Sequence, residues 1–169
     1  DFDDIRPYKD EEVQEKIDLL IKERQFEDAL GKVFKDVPFA LVKRQLSQIK
    51  TIKEFQIEFI LPILKMLLSQ TTDGFTWSED NMDSEASHLY ISNHRDIVLD
   101  SAMLNYALAE RDLETAEIAI GSNLLSPAWV EVLVKLNKSF TVVRNLDKEQ
   151  KIEASQKLSA YIKPPPRRI

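Results

Sequence analysis

The sequence contains no cysteine, only two histidines and only three glycines among 169 residues. The lack of cysteine excludes disulfides, a thiolate nucleophile and thiolate metal ligands. Proton transfer through imidazole has two candidates, His88 and His94. A cytoplasmic protein is the simplest interpretation, because chains without disulfides are usual in reducing compartments.

Positive charge is also in short supply. Lys and Arg total 23 against 29 Asp and Glu, which gives a formal net charge of −6, and the cations are dispersed along the sequence. Proteins that bind nucleic acid usually gather their cations in a patch or stripe. We therefore expect no nucleic-acid partner, and an anionic ligand or membrane would need a local basic site.

Long hydrophobic runs are missing as well. The longest apolar stretch, residues 57–68, is interrupted by Glu58, Pro62 and Lys65. It falls well short of the roughly 20 apolar residues that a spanning helix needs. The sequence begins Asp-Phe-Asp-Asp, without the basic and apolar regions of a signal peptide. We expect neither a transmembrane helix nor a signal peptide, while a hydrophobic content of 43% is enough for a core.

Residues 1–70 have the pattern of an all-helical region. Apolar residues recur there at spacings of three and four, as in Val13, Ile17, Leu20 and Ile21. Three or four helices are predicted, with Gly31 and Pro38 as interruptions. The last helix, 51–68, has Thr51 as its N-cap and an apolar face formed by Ile52, Phe55, Phe59, Ile63 and Leu67. This face either packs in the core or meets a membrane or acyl chain, and we favour packing.

Residues 71–87 are predicted to be a linker, because they combine turn residues with a polar run. From residue 88 to 163, short apolar runs alternate with helical patterns. The predicted strands are 88–92, 116–120 and 140–143, and the predicted helices are 97–110, 127–136 and 148–162. This order predicts an α/β fold with a largely parallel or mixed sheet flanked by helices. Residues 164–169 form a Pro-rich tail or junction.

His94 is the candidate general base. It follows the first predicted strand in a polar turn, and ligand-binding loops of such sheets lie beyond the carboxyl ends of the strands. Neutral imidazole can remove a proton from a hydroxyl, and a carboxylate on its other nitrogen would fix the tautomer. Asp100 lies near the start of the next helix, where its carboxylate can turn back toward the loop, and Asp96 is the rival. Judged from these residues alone, a loop histidine and a helix-capping aspartate are the commoner explanation of such a pair.

Two stretches resemble the glycerol-phosphate and lysophosphatidate acyltransferase superfamily. Residues 91–100 are similar to its first signature, Asn-His, four residues and Asp, although five residues lie between His94 and Asp100 here. Residues 118–144 are similar to a segment in which a strand leads to Leu, Pro, a helix and a second strand that ends in Arg. Both stretches occur in the order found in the family.

The resemblance implies transfer of a fatty acyl group to the hydroxyl of lysophosphatidate or glycerol-phosphate in phospholipid biosynthesis. His94 would be the general base, Asp100 its partner and Arg144 the ligand of the acceptor phosphate. Asn93, Arg95, Asp96 and Gly121 are possible accessory residues.

The donor would be acyl-CoA or acyl carrier protein, and neither a metal nor a cofactor is expected. The acyl transfer would take place at the inner face of the cell membrane, with the protein bound peripherally.

Departures from the family pattern keep alternatives open. Its third signature, Glu-Gly followed by Arg, and its fourth, an apolar strand with Pro, do not follow residue 144. We therefore expect this chain to be a fragment, or to lack a segment between Lys163 and Pro164, and to be weakly active or inactive. One alternative is a non-catalytic module of the same fold that binds a lipid or a partner. Another is a hydrolase using Ser92 or Ser101, although no Gly-x-Ser-x-Gly elbow is present.

Overall fold

A computed structural model of the chain describes residues 1–34, 37–78, 86–93 and 95–163. The described chain is rich in helix and contains a two-stranded parallel sheet. Its elements in order are α1 Val13–Leu20, α2 Arg24–Val33, α3 Phe39–Leu46, α4 Ile52–Glu54, α5 Leu61–Thr71, α6 Leu99–Glu110, β1 Ile118–Gly121, α7 Ala128–Leu136, β2 Ser139–Val142 and α8 Lys148–Ile162. A π-helical segment, Phe55–Ile60, joins α4 to α5, and 3-10 turns cover Asp10–Glu12 and Ser122–Leu124.

The residues form two compact units, and each is described by itself. The first unit contains Asp3–Ile63 and Glu117–Arg144, and the second contains the described parts of Leu64–Ala116 and Asn145–Ile169. The chain therefore passes from the first unit to the second and back before it ends in the second. The division of the sequence at residues 70 and 88 stays a prediction.

The helices of the N-terminal region follow the predicted periodicity. Val13, Ile17 and Leu20 of α1 are completely buried, since positions three and four apart share one face of a helix. The prediction for Gly31 was wrong, because this residue lies inside α2. One glycine costs a helix about 1 kcal/mol relative to alanine, which the burial of neighbouring residues can offset. Pro38 does separate two helices, as the N-cap of α3.

Thr51 starts the fourth helix, as predicted. Its hydroxyl accepts a hydrogen bond from the amide of Glu54 at 3.1 Å, and the Glu54 carboxylate accepts one from the amide of Thr51 at 3.2 Å. A carboxylate oxygen of Asp10 also accepts from the amide of Ile52 at 2.8 Å. The first amides of a helix have no partner within the helix, so this capping box stabilises the start of α4.

Pro62 accounts for the irregular hydrogen bonding where α4 and the π-helical segment continue into α5. A proline has no amide hydrogen and therefore leaves the carbonyl four residues earlier, that of Glu58, without its helical partner. The side-chain amide of Gln45 on α3 donates to that carbonyl at 2.8 Å. The chain is π-helical just before the proline, in Phe55–Ile60.

The core of the first unit is centred on an aromatic cluster. The ring of Phe26 lies 6.3 Å from Phe39, 6.5 Å from Phe59 and 5.8 Å from Trp129 between centroids. Phe59, on the predicted apolar face 52–67, is almost completely buried in this cluster. The preference for core packing is thus confirmed for the first part of that face. Trp129 shows that α7 shares this core with the N-terminal helices.

β1 and β2 are parallel, in a register that pairs Ile118 with Ser139 and Gly121 with Val142. The predicted strands at 116–120 and 140–143 are confirmed, with shifted ends. The predicted strand at 88–92 was wrong, because residues 86–93 form neither helix nor strand. Leu89 and Ile91 are 73% and 87% exposed, so the alternation that suggested a strand buries nothing among the described residues.

The second unit contains the C-terminal part of α5 together with α6 and α8. The side chain of Asn105 bonds both backbone groups of Ala116, accepting from its amide at 2.8 Å and donating to its carbonyl at 3.1 Å. An ion pair of 2.8 Å links Lys65 of α5 to Glu110 of α6. These contacts connect the segment before β1 and the middle of α5 to α6.

Replacing Gly31 by alanine should stabilise the protein by about 0.5–1 kcal/mol, because Gly31 is helical and nothing lies within 4 Å of an added Cβ. Gly74→Ala is the control of opposite sign, since Gly74 has a φ of +139° that a side chain disfavours. Urea denaturation measures both changes. Destabilisation by Gly31→Ala would contradict the placement of this residue within a helix.

Candidate active site

The turn expected to hold the general base lies in the second unit, and His94 itself is outside the described residues. Its neighbours Asn93 and Arg95 are exposed, as is Asp96. The turn does not follow a strand as predicted, since residues 86–93 are irregular. The other histidine, His88, is exposed and its ring lies 5.9 Å from that of Tyr90.

Asp100 turns back toward this loop. It is the second residue of α6 and is half-buried, and its Oδ2 accepts hydrogen bonds from the amide of Arg95 at 2.7 Å and from that of Asp96 at 3.1 Å. Arg95 is the residue that follows His94 in the sequence. Hydrogen bonds from backbone amides to a carboxylate are among the stronger ones in proteins. The expectation that a helix start directs its carboxylate to the preceding loop is confirmed for Asp100.

Asp96 performs a different task. Its Oδ1 accepts hydrogen bonds from the amides of Val98 at 2.9 Å and Leu99 at 2.8 Å, at the start of α6. These amides have no partner within the helix, so the Asp96 carboxylate acts as a helix cap. The two candidate carboxylates thus bond different backbone amides: Asp96 caps the start of α6, and Asp100 bonds the amides of Arg95 and Asp96. Which of them partners His94 stays a prediction.

Gly121 and Arg144 come together in the first unit. Gly121 is the last residue of β1, and Arg144 follows the end of β2. Because parallel strands have their carboxyl ends at the same edge of a sheet, the two residues lie at one edge. A Cβ added to Gly121 would lie 3.5 Å from Cγ and Nε of Arg144 and 2.6 Å from Oδ1 of Asn123. The Arg144 and Asn123 side chains therefore approach the backbone of Gly121 closely, and its accessory role stays a prediction.

Ser122 has a role that the sequence did not suggest. Its hydroxyl accepts a hydrogen bond from the backbone amide of Arg144 at 2.9 Å, which links the residue after β1 to the second residue after β2. Arg144 is exposed, and its guanidinium makes no hydrogen bond or ion pair with the described residues of its own unit. In the sequence, the only feature that pointed to Ser122 was its position at the end of a predicted strand, and many surface serines have such a position. The backbone of Arg144 is thus fixed while its guanidinium can take a ligand.

An ion pair with Asp147, three residues further along the chain, is an alternative explanation of Arg144 at the strand end. Its Oδ1 accepts a hydrogen bond from the amide of Gln150 at 2.9 Å, and the Gln150 side chain accepts one from the amide of Asp147 at 3.1 Å. This capping box starts α8. The carboxylate of Asp147 therefore has a structural use of its own.

Two further properties bear on the kind of site. Within the described ranges, no three His, Asp or Glu side chains cluster closely enough to hold a metal ion. No helix in that part of the chain is both long enough and apolar enough to cross a membrane.

Comparison of the chain with protein families, curated proteins and solved structures gave no match. The acyltransferase resemblance therefore depends on the residues of the two stretches alone.

Replacing Asp96 by alanine should destabilise the protein by about 1 kcal/mol, because the first amides of α6 lose their acceptor. Asp96→Asn is the matched control and should cost much less, since an asparagine oxygen caps helices about as well. The measurement is the free energy of unfolding in urea. Equal losses in the two variants would show that the charge of Asp96, and not its hydrogen bonds, stabilises α6.

Proposed function

We propose that this chain carries the general-base site and one phosphate-binding element of a glycerolipid acyltransferase. The observation that carries the proposal is the conformation of residues 95–100. There the carboxylate of Asp100 bonds the amides of Arg95 and Asp96, the two residues that follow His94 in the sequence. A carboxylate that bonds a histidine is suited to orient the imidazole and stabilise its protonated form.

In the proposed reaction, His94 removes the proton from a hydroxyl of lysophosphatidate or glycerol-phosphate. The oxygen attacks the carbonyl carbon of an acyl thioester, a new ester C–O bond forms and the C–S bond breaks. The imidazolium then gives its proton to the departing thiolate of coenzyme A or acyl carrier protein. Direct transfer of this kind balances without a covalent enzyme intermediate, a metal or a redox partner.

Arg144 is the proposed ligand of the acceptor phosphate. A guanidinium offers several donors in a planar fork that matches phosphate oxygens. Three features of the first unit support this role: the exposed position of Arg144, the Ser122 bond that fixes its backbone, and the missing Cβ at Gly121. The exposed Asn93 and Arg95 are accessory residues in the proposal.

The proposal extends to the fold and the place of action. It includes a larger, largely parallel or mixed sheet flanked by helices, of which β1 and β2 are a part. Because the acyl donor and the acylated product carry fatty chains, the reaction belongs at a membrane surface. The proposal places the protein there as a peripheral protein of the inner face.

The test uses the full-length gene product with octanoyl-CoA and lysophosphatidate. His94→Ala should lower kcat by at least about 100-fold, the usual contribution of a general base. His88→Ala, which removes the other histidine, should leave kcat within about twofold, well inside the effect of a general base. Unchanged turnover in His94→Ala would refute the mechanism.

The carboxylates are distinguished in the same assay. Both asparagine variants can still accept the backbone hydrogen bonds, so only the negative charge is lost. Asp100→Asn should lower kcat by an order of magnitude or more, whereas Asp96→Asn should leave it nearly unchanged. The reverse result would assign the partnership to Asp96. Binding of lysophosphatidate without turnover in the wild type would instead support a non-catalytic binding module.

A further inference from the structure

The N-terminal residues 3–8, here called the strap, are irregular in backbone yet tightly packed. Ile5 is only 3% exposed and Pro7 is buried. Backbone groups in a buried irregular segment need hydrogen-bond partners, because leaving them unpaired costs free energy. The partners of the strap are found on β2 and on α7.

The strap occupies the edge of β2 that faces away from β1. On the inner edge, the amide of Ile118 donates to the carbonyl of Lys138, and backbone groups alternate in direction along a strand. The amide of Thr141 therefore points outward, where it donates to the carbonyl of Ile5 at 2.7 Å. The strap is thus attached to the outer edge of β2 at Thr141, while β1 pairs with the inner edge.

Lys135 of α7 binds both ends of the strap. Its Nζ donates to the carbonyl of Asp4 at 3.2 Å and pairs with Glu131 at 3.1 Å, and its own carbonyl accepts from the amide of Tyr8 at 3.4 Å. Its side chain is only 7% exposed. A buried ammonium is costly unless its donors are satisfied, so Lys135 favours the conformation in which the strap is in place.

The ring of Tyr8 adds to this contact. Lys135 Nζ lies 5.9 Å from its centroid, and Lys16 Nζ lies 5.3 Å from it. Both distances are within the range of a cation–π attraction. Burial of the ring, with a smaller effect of Glu131, raises the pKa of Tyr8 to about 12. Tyr8 therefore stays neutral, and its ring attracts the lysines through most of the pH range in which proteins are stable.

Arg6 fixes the outer side of the strap. Its guanidinium bonds Asp3 at 2.6 Å, the carbonyl of Pro7 at 2.8 Å and both carboxylate oxygens of Glu12 at 2.7 and 3.3 Å. Bidentate pairs of this kind are geometrically specific. The hydrogen bonds from Arg6 also lower the pKa of the Glu12 carboxyl. The strap is therefore attached to the 3-10 turn Asp10–Glu12 as well as to β2 and α7.

The elements that the strap holds are those that lead to Arg144. The turn between α7 and β2 contains Lys138 in a left-handed conformation with φ of 61°, and β2 ends at Val142, two residues before Arg144. A displacement of α7 or β2 would move the backbone of Arg144 away from its bond to Ser122. The position of the phosphate ligand thus depends on contacts made by residues 4–8.

We propose that the strap positions Arg144 for binding the acceptor phosphate, and that Lys135 is the positioning residue that connects them. This inference rests on the proposed function, since it concerns the same phosphate. Neither the strap nor Lys135 touches the ligand. Their effect is transmitted through β2.

The test measures the dissociation constants of two ligands that differ only in the phosphate, octanoyl-glycerol 3-phosphate and octanoylglycerol, in the full-length gene product. Lys135→Met should weaken binding of the phosphate ligand about tenfold, less than the roughly 100-fold that a misplacement of 1 Å can cost. Binding of octanoylglycerol should be unchanged. Lys135→Arg should restore the phosphate preference, and Lys22→Met, at an exposed lysine, should have no effect.

Arg6→Gln is a second variant for the case that Lys135→Met does not fold, because it loosens the strap from outside. It should weaken phosphate binding by about threefold, in the range of one weakened coupling. Equal weakening of both ligands, or no weakening in either variant, would overturn the inference. An unchanged phosphate affinity in Arg144→Gln, or no binding by the wild type, would overturn the proposed function and the inference with it.

Discussion

The parallel pairing of β1 with β2 is the constraint on which the rest of the first unit depends. Because the strands run in the same direction and Gly121 pairs with Val142, the residues that follow them emerge at one edge. Ser122 can then bond the amide of Arg144, and the missing Cβ of Gly121 leaves space that Arg144 and Asn123 occupy. A shift of one residue in this register would separate all of these contacts.

A sheet of two strands has little stability of its own, so its geometry must come from what packs around it. α7 supplies this support, because Leu136 is completely buried in the core formed with the N-terminal helices, and Trp129 contacts Phe26. The bond from the amide of Thr141 to the carbonyl of Ile5 attaches the N-terminal residues to the other edge of β2. The helical region and the strands therefore stabilise one another, although they are distant in the sequence.

The structural features that could be predicted well from the sequence were those that depend on residues close together in the chain. Thr51 was identifiable as a helix start because its hydroxyl and the Glu54 carboxylate satisfy amides only three residues away. The contacts of Lys135 with Asp4 and of Thr141 with Ile5 join residues more than a hundred positions apart, and no periodicity indicates them. For the segment 88–92, a local pattern was present in the sequence but the predicted strand was wrong. Its alternating pattern is that of a strand, but a strand also needs a neighbour to pair with, which a local pattern does not specify.

The candidate site likewise contains some features that could be predicted from the sequence and others that could not. That Asp100 turns toward its loop could be predicted, because a carboxylate at a helix start lies within reach of the preceding amides. The difference between Asp96 and Asp100 could not, since it depends on which amides each oxygen reaches in the folded turn. Ser122 was missed because its partner is the backbone of Arg144, which the sequence does not reveal.

The most direct test of the central claim is an analysis of the products formed from labelled octanoyl-CoA and lysophosphatidate by the full-length gene product. Acyl transfer through His94 predicts that the label appears in phosphatidate, with one free thiol of coenzyme A released for each ester formed. Label recovered only as free octanoate would show a hydrolase and contradict the account. Label that remains in the thioester with octanoyl-CoA, and also when octanoyl acyl carrier protein replaces it, would show that the protein is not an acyltransferase.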